Sequence, residues 1–137
     1  PCALLMGDLD HFKRVNDQYG HAAGDTVLRM FADRVRSVVR RVDVFVRRGG
    51  EEFLLLMPAT GGAAAHATAT RILQSLSGDE LDLGDGRRLP QTVSIGVAHW
   101  DRRESAESLV ARADRALYEA KAGGRDRVTV ATAGPSS

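Results

Sequence analysis

An apolar run followed by two alternating acids marks the first place where this sequence could do chemistry. Residues 3–6 are Ala-Leu-Leu-Met, typical of a strand buried on both faces, and Asp8 and Asp10 follow closely. Alternate side chains of an extended chain point to the same side, so both carboxylates could face one hard divalent cation. A solvated strand end and an Asp that caps the following turn remain as alternatives.

A second acidic pair follows two glycines that lie between apolar, strand-like runs. The adjacent Gly49 and Gly50 predict a tight β-hairpin turn, because glycine adopts positive φ without steric cost. A turn without side chains also lets the phosphates or sugar of a ligand approach the backbone closely. Glu51 and Glu52 come next, and neighbouring side chains of a strand point to opposite faces. An ordinary hairpin with solvated acids is the alternative.

Hydrophobic periodicity and turn residues predict the elements that must position these acids. The predicted elements are a strand at 3–6, helices at 12–19 and about 26–39, hairpin strands at 42–46 and 53–57, a helix at 63–76, a loop with a weak hairpin at 77–90, a strand at 92–98, a helix at 106–122 and a strand at 127–130. We expect residues 21–24 to form a loop, Asp25 and Ser105 to cap helices, and residues 131–137 to be a frayed tail. This order predicts an α+β sandwich with one mixed sheet.

Composition limits the class of protein. The chain has 137 residues, 43% of them hydrophobic, which suits one domain with a buried core. Its formal net charge of +1 argues against a general DNA or RNA binder. The single cysteine, Cys2, excludes an internal disulfide and a cysteine-based zinc site. No apolar run approaches the roughly 18 residues that span a bilayer, so we expect a cytoplasmic protein without direct membrane contact.

The motifs around both acidic clusters resemble those of the GGDEF family, the diguanylate cyclases. Residues 49–53 have the Gly-Gly-Glu-Glu-Phe form of the family signature. Further family motifs occur in the family's order at residues 8–13, 16–17, 19–21, 24–25, 94–97, 113–121 and 124–125. We therefore expect one GGDEF domain over residues 1–130, followed by a tail over 131–137. The resemblance implies a five-stranded sheet wrapped by helices, similar to the palm of polymerases and class III nucleotide cyclases.

The resemblance also implies a reaction. Two GTP molecules would give cyclic di-GMP and two pyrophosphates by in-line attack of a 3′-hydroxyl on an α-phosphate. Mg²⁺ or Mn²⁺ would assist, with two ions per site possible. Asp8, Glu51 and Glu52 would be the catalytic acids, and Asp8, Glu51 and the carbonyl of Leu9 would be the metal ligands. The division of work between Glu51 and Glu52 stays open.

The same resemblance assigns the contacts to the nucleotide. Asn16 and Asp25 would read guanine, because a carboxylate accepts from N1–H and N2–H₂, which adenine does not offer. The remaining substrate contacts would come from Lys13, His11, Phe12, Lys121, Arg125, Gly49 and Gly50. Taken alone, Asn16 would be a polar residue at a helix end, Asp25 a plain helix cap, and the cations solvated side chains.

An Arg-x-x-Asp motif precedes the hairpin and resembles the inhibitory product site of the family. Arg40 and Asp43 would bind a guanine and a phosphate of cyclic di-GMP, with Arg71 as a helper from the next helix. The alternative is a basic helix end that complements the helix dipole, because Arg36, Arg40 and Arg41 all fit that interpretation.

Two departures from the family pattern accompany these expectations. A segment resembling Asp-x-Leu-Thr-x-Leu-x-Asn-Arg, some thirty residues earlier in the family, is missing, and Arg48 stands where the family often has Tyr or Phe. We expect the chain to be the C-terminal output domain of a larger bacterial signalling protein, active as a homodimer and monomeric in isolation. A non-catalytic cyclic di-GMP receptor that binds through Arg40 and Asp43 is the alternative function.

Overall fold

The structure, a computed structural model, describes residues 1–76, 78 and 80–132. Its elements in chain order are β1 (Cys2–Leu9), α1 (Phe12–Tyr19), α2 (His21–Val38), β2 (Val44–Arg47), β3 (Glu52–Pro58), α3 (Gly62–Leu76), β4 (Leu81–Asp82), β5 (Arg88–Leu89), β6 (Val93–Trp100), α4 (Ala106–Ala122) and β7 (Arg127–Val130). None of the described helices is long and apolar enough to cross a membrane.

The main sheet has five strands in the order β2-β3-β1-β6-β7. The central strand β1 pairs antiparallel with both β3 and β6, whereas β6 and β7 run parallel. The predicted α+β class with one mixed sheet is therefore confirmed. The weak hairpin predicted within residues 77–90 is present as the separate pair β4–β5.

Alternating side chains of β1 build two apolar layers, one on each face of the sheet. Leu5 packs into the larger cluster with residues of α2 and α3, including Phe31 and Ile72. Leu4 and Met6 pack on the other face against α4. Burial on both faces is the reason for the continuous apolar run at the start of the chain.

Gly96 sets how closely α4 approaches the sheet. A β-carbon at Gly96 would lie 2.4 Å from the carbonyl oxygen of Ala113 and 2.3 Å from the amide nitrogen of Leu117. Any side chain at this position would push the helix outward. The close contact therefore fixes the height of α4 above β1 and β6, and with it the position of Lys121 in the last turn of the helix.

The structure corrects two local predictions. The loop predicted at residues 21–24 is the first turn of α2, which begins at His21. Asp25 consequently lies inside the helix and does not cap it. The physical reason is that Gly20, at φ 90°, completes the chain reversal within one residue, and the alanines that follow favour helix.

The predicted tail begins with two ordered residues. The amide of Ala131 donates to the carbonyl of Val97 at 2.7 Å, and the guanidinium of Arg112 donates to the carbonyl of Thr132. The prediction of a frayed tail is therefore wrong for residues 131 and 132. The rest of that prediction, residues 133–137, lies outside the described residues.

Candidate active site

The two acidic clusters meet at one end of the central sheet. Asp8 in β1 lies directly opposite Glu52 in β3, and opposed residues of antiparallel strands place their side chains on the same face. The amide of Leu9 donates to the carbonyl of Glu51 at 3.3 Å, which holds the hairpin turn against the end of β1. Acids far apart in the sequence therefore gather at a single edge.

Asp8 is buried and crowded by charge. Burial is the largest cause that raises the pKa of its carboxyl above the ordinary value of 3.8. A hydrogen bond and the positive charge of Lys121 lower this pKa, whereas the negative charges of Glu51 and Glu52 raise it further. The Lys121 ammonium donates directly to Asp8 Oδ2. The charged carboxylate is thus disfavoured at this position, and a bound divalent cation would relieve that cost.

The turn between β2 and β3 is longer than the predicted two-residue turn. The amide of Arg48 donates to the carbonyl of Glu52 at 2.8 Å, and the amide of Glu52 donates to the carbonyl of Gly49 at 3.2 Å. Residues 49–51 therefore form the turn, with Gly49 in the left-handed region at φ 71°. Because Glu51 belongs to the turn, the strand alternation predicted for Glu51 and Glu52 does not apply.

The Arg48 side chain points away from this turn onto α4. Its guanidinium donates to the Asp114 carboxylate at 3.3 Å and lies 3.5 Å from the sulfur of Met6. The pair with Asp114 is half exposed on both sides, so it contributes little stability. Arg48, where the sequence departs from the family pattern, therefore connects the β2–β3 hairpin to α4.

The acidic edge has the donor chemistry of a magnesium site that shares its ion with a substrate. Carboxylate and carbonyl oxygens are hard ligands, and Mg²⁺ commonly takes only one or two carboxylates while phosphates and water complete its octahedron. Within the described residues, no group of three or more His, Cys, Asp or Glu side chains is already arranged to hold a metal ion. The residues therefore fit Mg²⁺ that completes its shell with oxygens from outside the protein, and do not form a closed protein cage.

The proposed guanine readers lie where α1 meets α2. A β-carbon at Gly24 would lie 2.0 Å from Asn16 Oδ1, so only glycine lets the Asn16 carboxamide pack against α2. Asp25 follows Gly24 directly and is exposed. The structure thus brings an amide and a carboxylate to the same corner, as the family resemblance predicts.

A cleft of about 760 Å³ extends from Asp25 to Glu51 and Glu52. One wall is α2, which contributes Asp25 and Arg29, and the other is the β2–β3 hairpin, which contributes Arg47, Glu51 and Glu52. Sequence reasoning missed the two arginines as lining residues. The position of Arg29, one helical turn after Asp25, is a signal that could have identified it.

The other predicted phosphate contacts lie around the ends of α1 and α4. Lys13 is exposed on α1, and Phe12 is buried at the start of that helix. His11 precedes Phe12 in the left-handed region at φ 55°, and its carbonyl accepts from Arg14 N at 2.9 Å. Arg125 lies in the turn after α4 at φ 62°. A left-handed residue other than glycine costs about 1–3 kcal/mol, and such strain is concentrated at functional sites.

Asp10 does not share the environment of Asp8. Strand β1 ends at Leu9, so the alternation that predicted a common side stops before Asp10. The Asp10 carboxylate is buried and accepts hydrogen bonds from Ser94 Oγ at 2.6 Å, Thr92 Oγ1 at 2.7 Å and the amide of Asp126 at 3.0 Å. These bonds use most of the acceptor capacity of Asp10, which favours a structural role. The hypothesis that Asp8 and Asp10 face one cation stays a prediction.

Arg40 and Asp43 form a closed pair after the end of α2. The Arg40 guanidinium donates to Asp43 Oδ1 at 2.7 Å, and the Arg40 amide donates to Asp43 Oδ2 at 2.8 Å. The same guanidinium donates to the Pro58 carbonyl at 2.9 Å and to Thr60 Oγ1 at 2.6 Å. The Asp43 side chain is fully buried, whereas half of the Arg40 side chain stays exposed. The pair is thus held in one conformation with an accessible guanidinium face.

The third residue predicted for that site is not part of the pair. Arg71 is exposed on α3, and in the part of the chain that the structure describes no hydrogen bond or ion pair joins it to Asp43, Pro58 or Thr60, the acceptors of Arg40. Thr60 is the contact that sequence reasoning missed. No local pattern marks it, because it meets Arg40 only through the fold.

Comparison with known proteins agrees with the fold. A model of the GGDEF family, described as "Diguanylate cyclase, GGDEF domain", matches residues 1–127. The chain is 46% identical to diguanylate cyclase A of Treponema denticola over 129 residues, covering 93% of this chain and 34% of that protein. The chain spans about a third or less of the length of the curated relatives it matches.

Two solved structures have the same fold. The GGDEF domain of YfiN from Pseudomonas aeruginosa superimposes with a TM-score of 0.90 at 36% identity, covering 96% of this chain and 83% of that one. The GGDEF domain of DgcB from Caulobacter crescentus, solved in complex with c-di-GMP, has a TM-score of 0.88 at 37% identity, covering 94% and 77%. The chain belongs to the GGDEF family of diguanylate cyclase domains.

Proposed function

We propose that this chain is a diguanylate cyclase domain that condenses two GTP molecules into cyclic di-GMP and releases two pyrophosphates. The observation that carries the proposal is the meeting of Asp8, Glu51 and Glu52 with Lys121 at one sheet edge. The relatives that bear the name diguanylate cyclase support it. We assign the domain to residues 1–130, and residues 131 and 132 continue it through their hydrogen bonds to Val97 and Arg112.

The acids and cations of the edge have separate tasks in this reaction. Asp8, Glu51 and the carbonyl of Leu9 would hold Mg²⁺ or Mn²⁺, which polarises the phosphates and offsets the charge that develops during transfer, and a second ion is possible. Glu52 supports the same charge balance or accepts the proton of the attacking 3′-hydroxyl. Lys121 would move from Asp8 towards the phosphates, because a lysine on a flexible stem can exchange partners.

The corner between α1 and α2 would select guanine. The Asp25 carboxylate accepts from N1–H and N2–H₂, and the Asn16 amide donates to the guanine edge. Adenine would leave these groups unpaired, which discriminates strongly in a desolvated site. Lys13, Arg125 and the amides near His11, Phe12, Gly49 and Gly50 would contact the phosphates.

Each domain can hold one GTP at this edge, so the reaction needs two domains face to face. We therefore propose activity as a homodimer, with an isolated chain that is mostly monomeric and slow. The relatives are much longer than this chain, which supports a role as the output domain of a larger bacterial signalling protein. We propose that this domain lies in the cytoplasm. The signal that controls it would act by bringing two domains together.

The exposed guanidinium of Arg40, held by Asp43, is a site at which the product could inhibit. Arginine forms paired hydrogen bonds with phosphate and with guanine acceptors. The c-di-GMP complex of the DgcB domain shows that a related domain binds this nucleotide. Arg71 could join from α3 only if its side chain reorients on binding.

The experiment that tests the proposed function uses the chain fused to a coiled coil that enforces a parallel dimer. With GTP and Mg²⁺ the fusion should form cyclic di-GMP and pyrophosphate in a ratio of one to two, and ATP should support no comparable turnover. Equal turnover of ATP would remove the guanine roles of Asn16 and Asp25. A dimer that forms no product yet binds cyclic di-GMP would establish the receptor function through Arg40 and Asp43 instead.

A further inference from the structure

Asp10 connects three parts of the fold that border the candidate active site. Its carboxylate accepts from Ser94 Oγ and Thr92 Oγ1 at the start of β6 and from the amide of Asp126 before β7. Its own amide donates to the carbonyl of Thr92 at 2.9 Å, and its carbonyl accepts from Gln91 Nε2 at 2.9 Å. A carboxylate has about four acceptor positions, and three of them are in use. Little capacity remains for a cation.

The turn that receives this contact is strained. Arg125 and Asp126 are consecutive residues in the left-handed region, at φ 62° and 48°. Neither is glycine, so the conformation persists only if the surroundings impose it. The Arg125 amide is held by the carbonyl of Ala120 at 2.9 Å. The Arg127 guanidinium also donates to the Arg125 carbonyl at 2.9 Å. The Asp126 amide is held by Asp10, and this hydrogen bond ties the turn to the residue that follows β1.

The same turn carries Arg125, which we assign to the phosphates, and it follows Lys121, which contacts Asp8. If the Asp126 amide were released, both left-handed residues could relax and Arg125 would lose its fixed position. In the intact protein Asp8 and Asp10 therefore have different roles, although only Leu9 separates them. The Asp8 carboxylate interacts with the ligand, whereas Asp10 positions the turn whose residues bind that ligand.

We propose that Asp10 is the positioning residue for the phosphate-binding turn 123–126, which it fixes through the Asp126 amide, and that it is not a metal ligand. The proposal deepens the proposed function and rests on it, because Arg125 has a phosphate to bind only if the chain binds GTP. The anchor itself is a property of the free protein, and it can be measured without any ligand.

The variant Asp10→Asn distinguishes the hydrogen bonds of residue 10 from its negative charge. Its carbonyl can accept from Asp126 and Thr92, and its NH₂ can donate to the Ser94 hydroxyl, which rotates to accept. Asp10→Asn therefore keeps the anchor and removes the charge, whereas Asp10→Ala removes both. Ser94→Ala is the matched control, because it takes one hydrogen bond from the same carboxylate and leaves the turn contact in place.

The first test is amide hydrogen exchange of the full chain without nucleotide, followed by NMR. The Asp126 amide should be protected in the wild type, in Asp10→Asn and in Ser94→Ala. In Asp10→Ala it should exchange at least about tenfold faster, in line with the loss of a charge-assisted hydrogen bond. An unprotected Asp126 amide in the wild type would overturn the proposal, even if Asp10→Ala does not fold.

The second test is calorimetric binding of guanosine 5′-(α,β-methylene)triphosphate with Mg²⁺. Asp10→Ala should weaken binding about tenfold, as Arg125→Ala should, and the double variant should be no weaker than either alone. Asp10→Asn should stay within about threefold of the wild type. If Asp10→Asn loses as much affinity as Asp10→Ala, the charge of Asp10 itself contributes to binding. If the losses of Asp10→Ala and Arg125→Ala add in the double variant, Asp10 does not act by positioning Arg125. If the wild type binds no analogue, the proposed function is contradicted. The hydrogen bond between Asp10 and the Asp126 amide is still tested by hydrogen exchange.

Discussion

The acidic edge and the Arg40–Asp43 pair handle charge in opposite ways. At the edge, Asp8 lies beside Glu51 and Glu52, and its charged form is disfavoured although Lys121 contacts it. At the pair, one guanidinium already donates to a buried carboxylate, a carbonyl and a hydroxyl. We therefore expect the first region to bind a cation together with its substrate, whereas the hydrogen bonds of the second region already satisfy its charges.

This difference teaches what each region does. A site that carries excess charge gains free energy when substrate and metal arrive, so binding and catalysis depend strongly on every acid. A site that is already satisfied changes little on binding, so it suits a regulatory contact whose affinity can be adjusted without disturbing the chemistry. The two regions should therefore respond to mutation with different magnitudes and in different measurements.

The largest effect is expected at the acidic edge. Glu51→Gln keeps the size of the side chain and removes its charge, so turnover of GTP by the dimerised chain should fall about 10²–10³-fold. Steady-state production of cyclic di-GMP measures it, with the exposed Glu80→Gln as the matched control. A Glu51→Gln enzyme with more than a tenth of wild-type turnover would mean that Glu51 is not part of the reacting centre.

Arg40→Ala should affect inhibition and spare the initial rate. Loss of the charged hydrogen bonds should weaken cyclic di-GMP binding and raise its inhibition constant about 10- to 100-fold. The thermal midpoint should also fall, because the buried Asp43 carboxylate loses its partner. Arg41→Ala, an exposed neighbour of the same type, should change neither quantity. An unchanged inhibition curve for Arg40→Ala would remove the inhibitory site.

Thr60→Val should have a smaller effect on the same site. The variant keeps the shape of the side chain and removes the hydroxyl that accepts from Arg40, so product affinity should fall about three- to tenfold. Thr60→Ser retains the hydroxyl and should bind like the wild type. If Thr60→Val and Thr60→Ser have the same product affinity, the hydroxyl does not orient Arg40.

The smallest effect is a pH dependence of stability at Asp8. Because its native pKa is raised above 3.8, the folded chain binds this proton more readily than the unfolded chain does. The contribution of Asp8 to the free energy of unfolding therefore falls as pH rises from 3.8 through the raised native pKa. Across that window the wild type should lose stability relative to Asp8→Asn.

Denaturant titrations in EDTA from pH 3.5 to 7 measure this difference, with the exposed Asp17→Asn as the control. Above the window Asp8→Asn should be the more stable protein, although it should be inactive. If the wild type instead gains stability relative to Asp8→Asn as pH rises, the contact with Lys121 outweighs burial. Lys121 would then offset the negative charge of Asp8 in the free protein, and the acidic edge would no longer differ from the Arg40–Asp43 pair in this respect.

Local patterns predicted the elements well and failed where backbone geometry decides. The strands and the helices after β3 follow from periodicity, and the weak hairpin within residues 77–90 follows from its turn residues. The start of α2 follows from neither. Gly20 lets the chain reverse at once, so residues 21–24 join the helix and Asp25 is not a cap. The extra turn residue at Glu51 has the same origin, because a glycine pair permits turns of more than one length.

Only those residues of the candidate site that belong to sequence motifs were predictable. Asp8 and Glu51 were expected at one edge. The strand pairing places Glu52 directly opposite Asp8, and Glu51 lies next to them in the turn, where its carbonyl accepts from the Leu9 amide. The partners of Asp10 and of Arg40 were not predictable. Ser94, Asp126 and Thr60 reach them across the fold from distant parts of the sequence. Alternation also suggested that Asp8 and Asp10 act together, because nothing in the sequence shows that β1 ends between them.

Binding of Mn²⁺, followed by electron paramagnetic resonance of the free ion, tests the central claim most directly. With the methylene analogue of GTP present, the wild type should bind Mn²⁺ much more tightly than it does alone. Asp8→Asn and Glu51→Gln should each abolish that gain, and Asp10→Asn should keep it. Analogue-dependent Mn²⁺ binding that survives both Asp8→Asn and Glu51→Gln would contradict a cation shared by the acids of β1 and the hairpin.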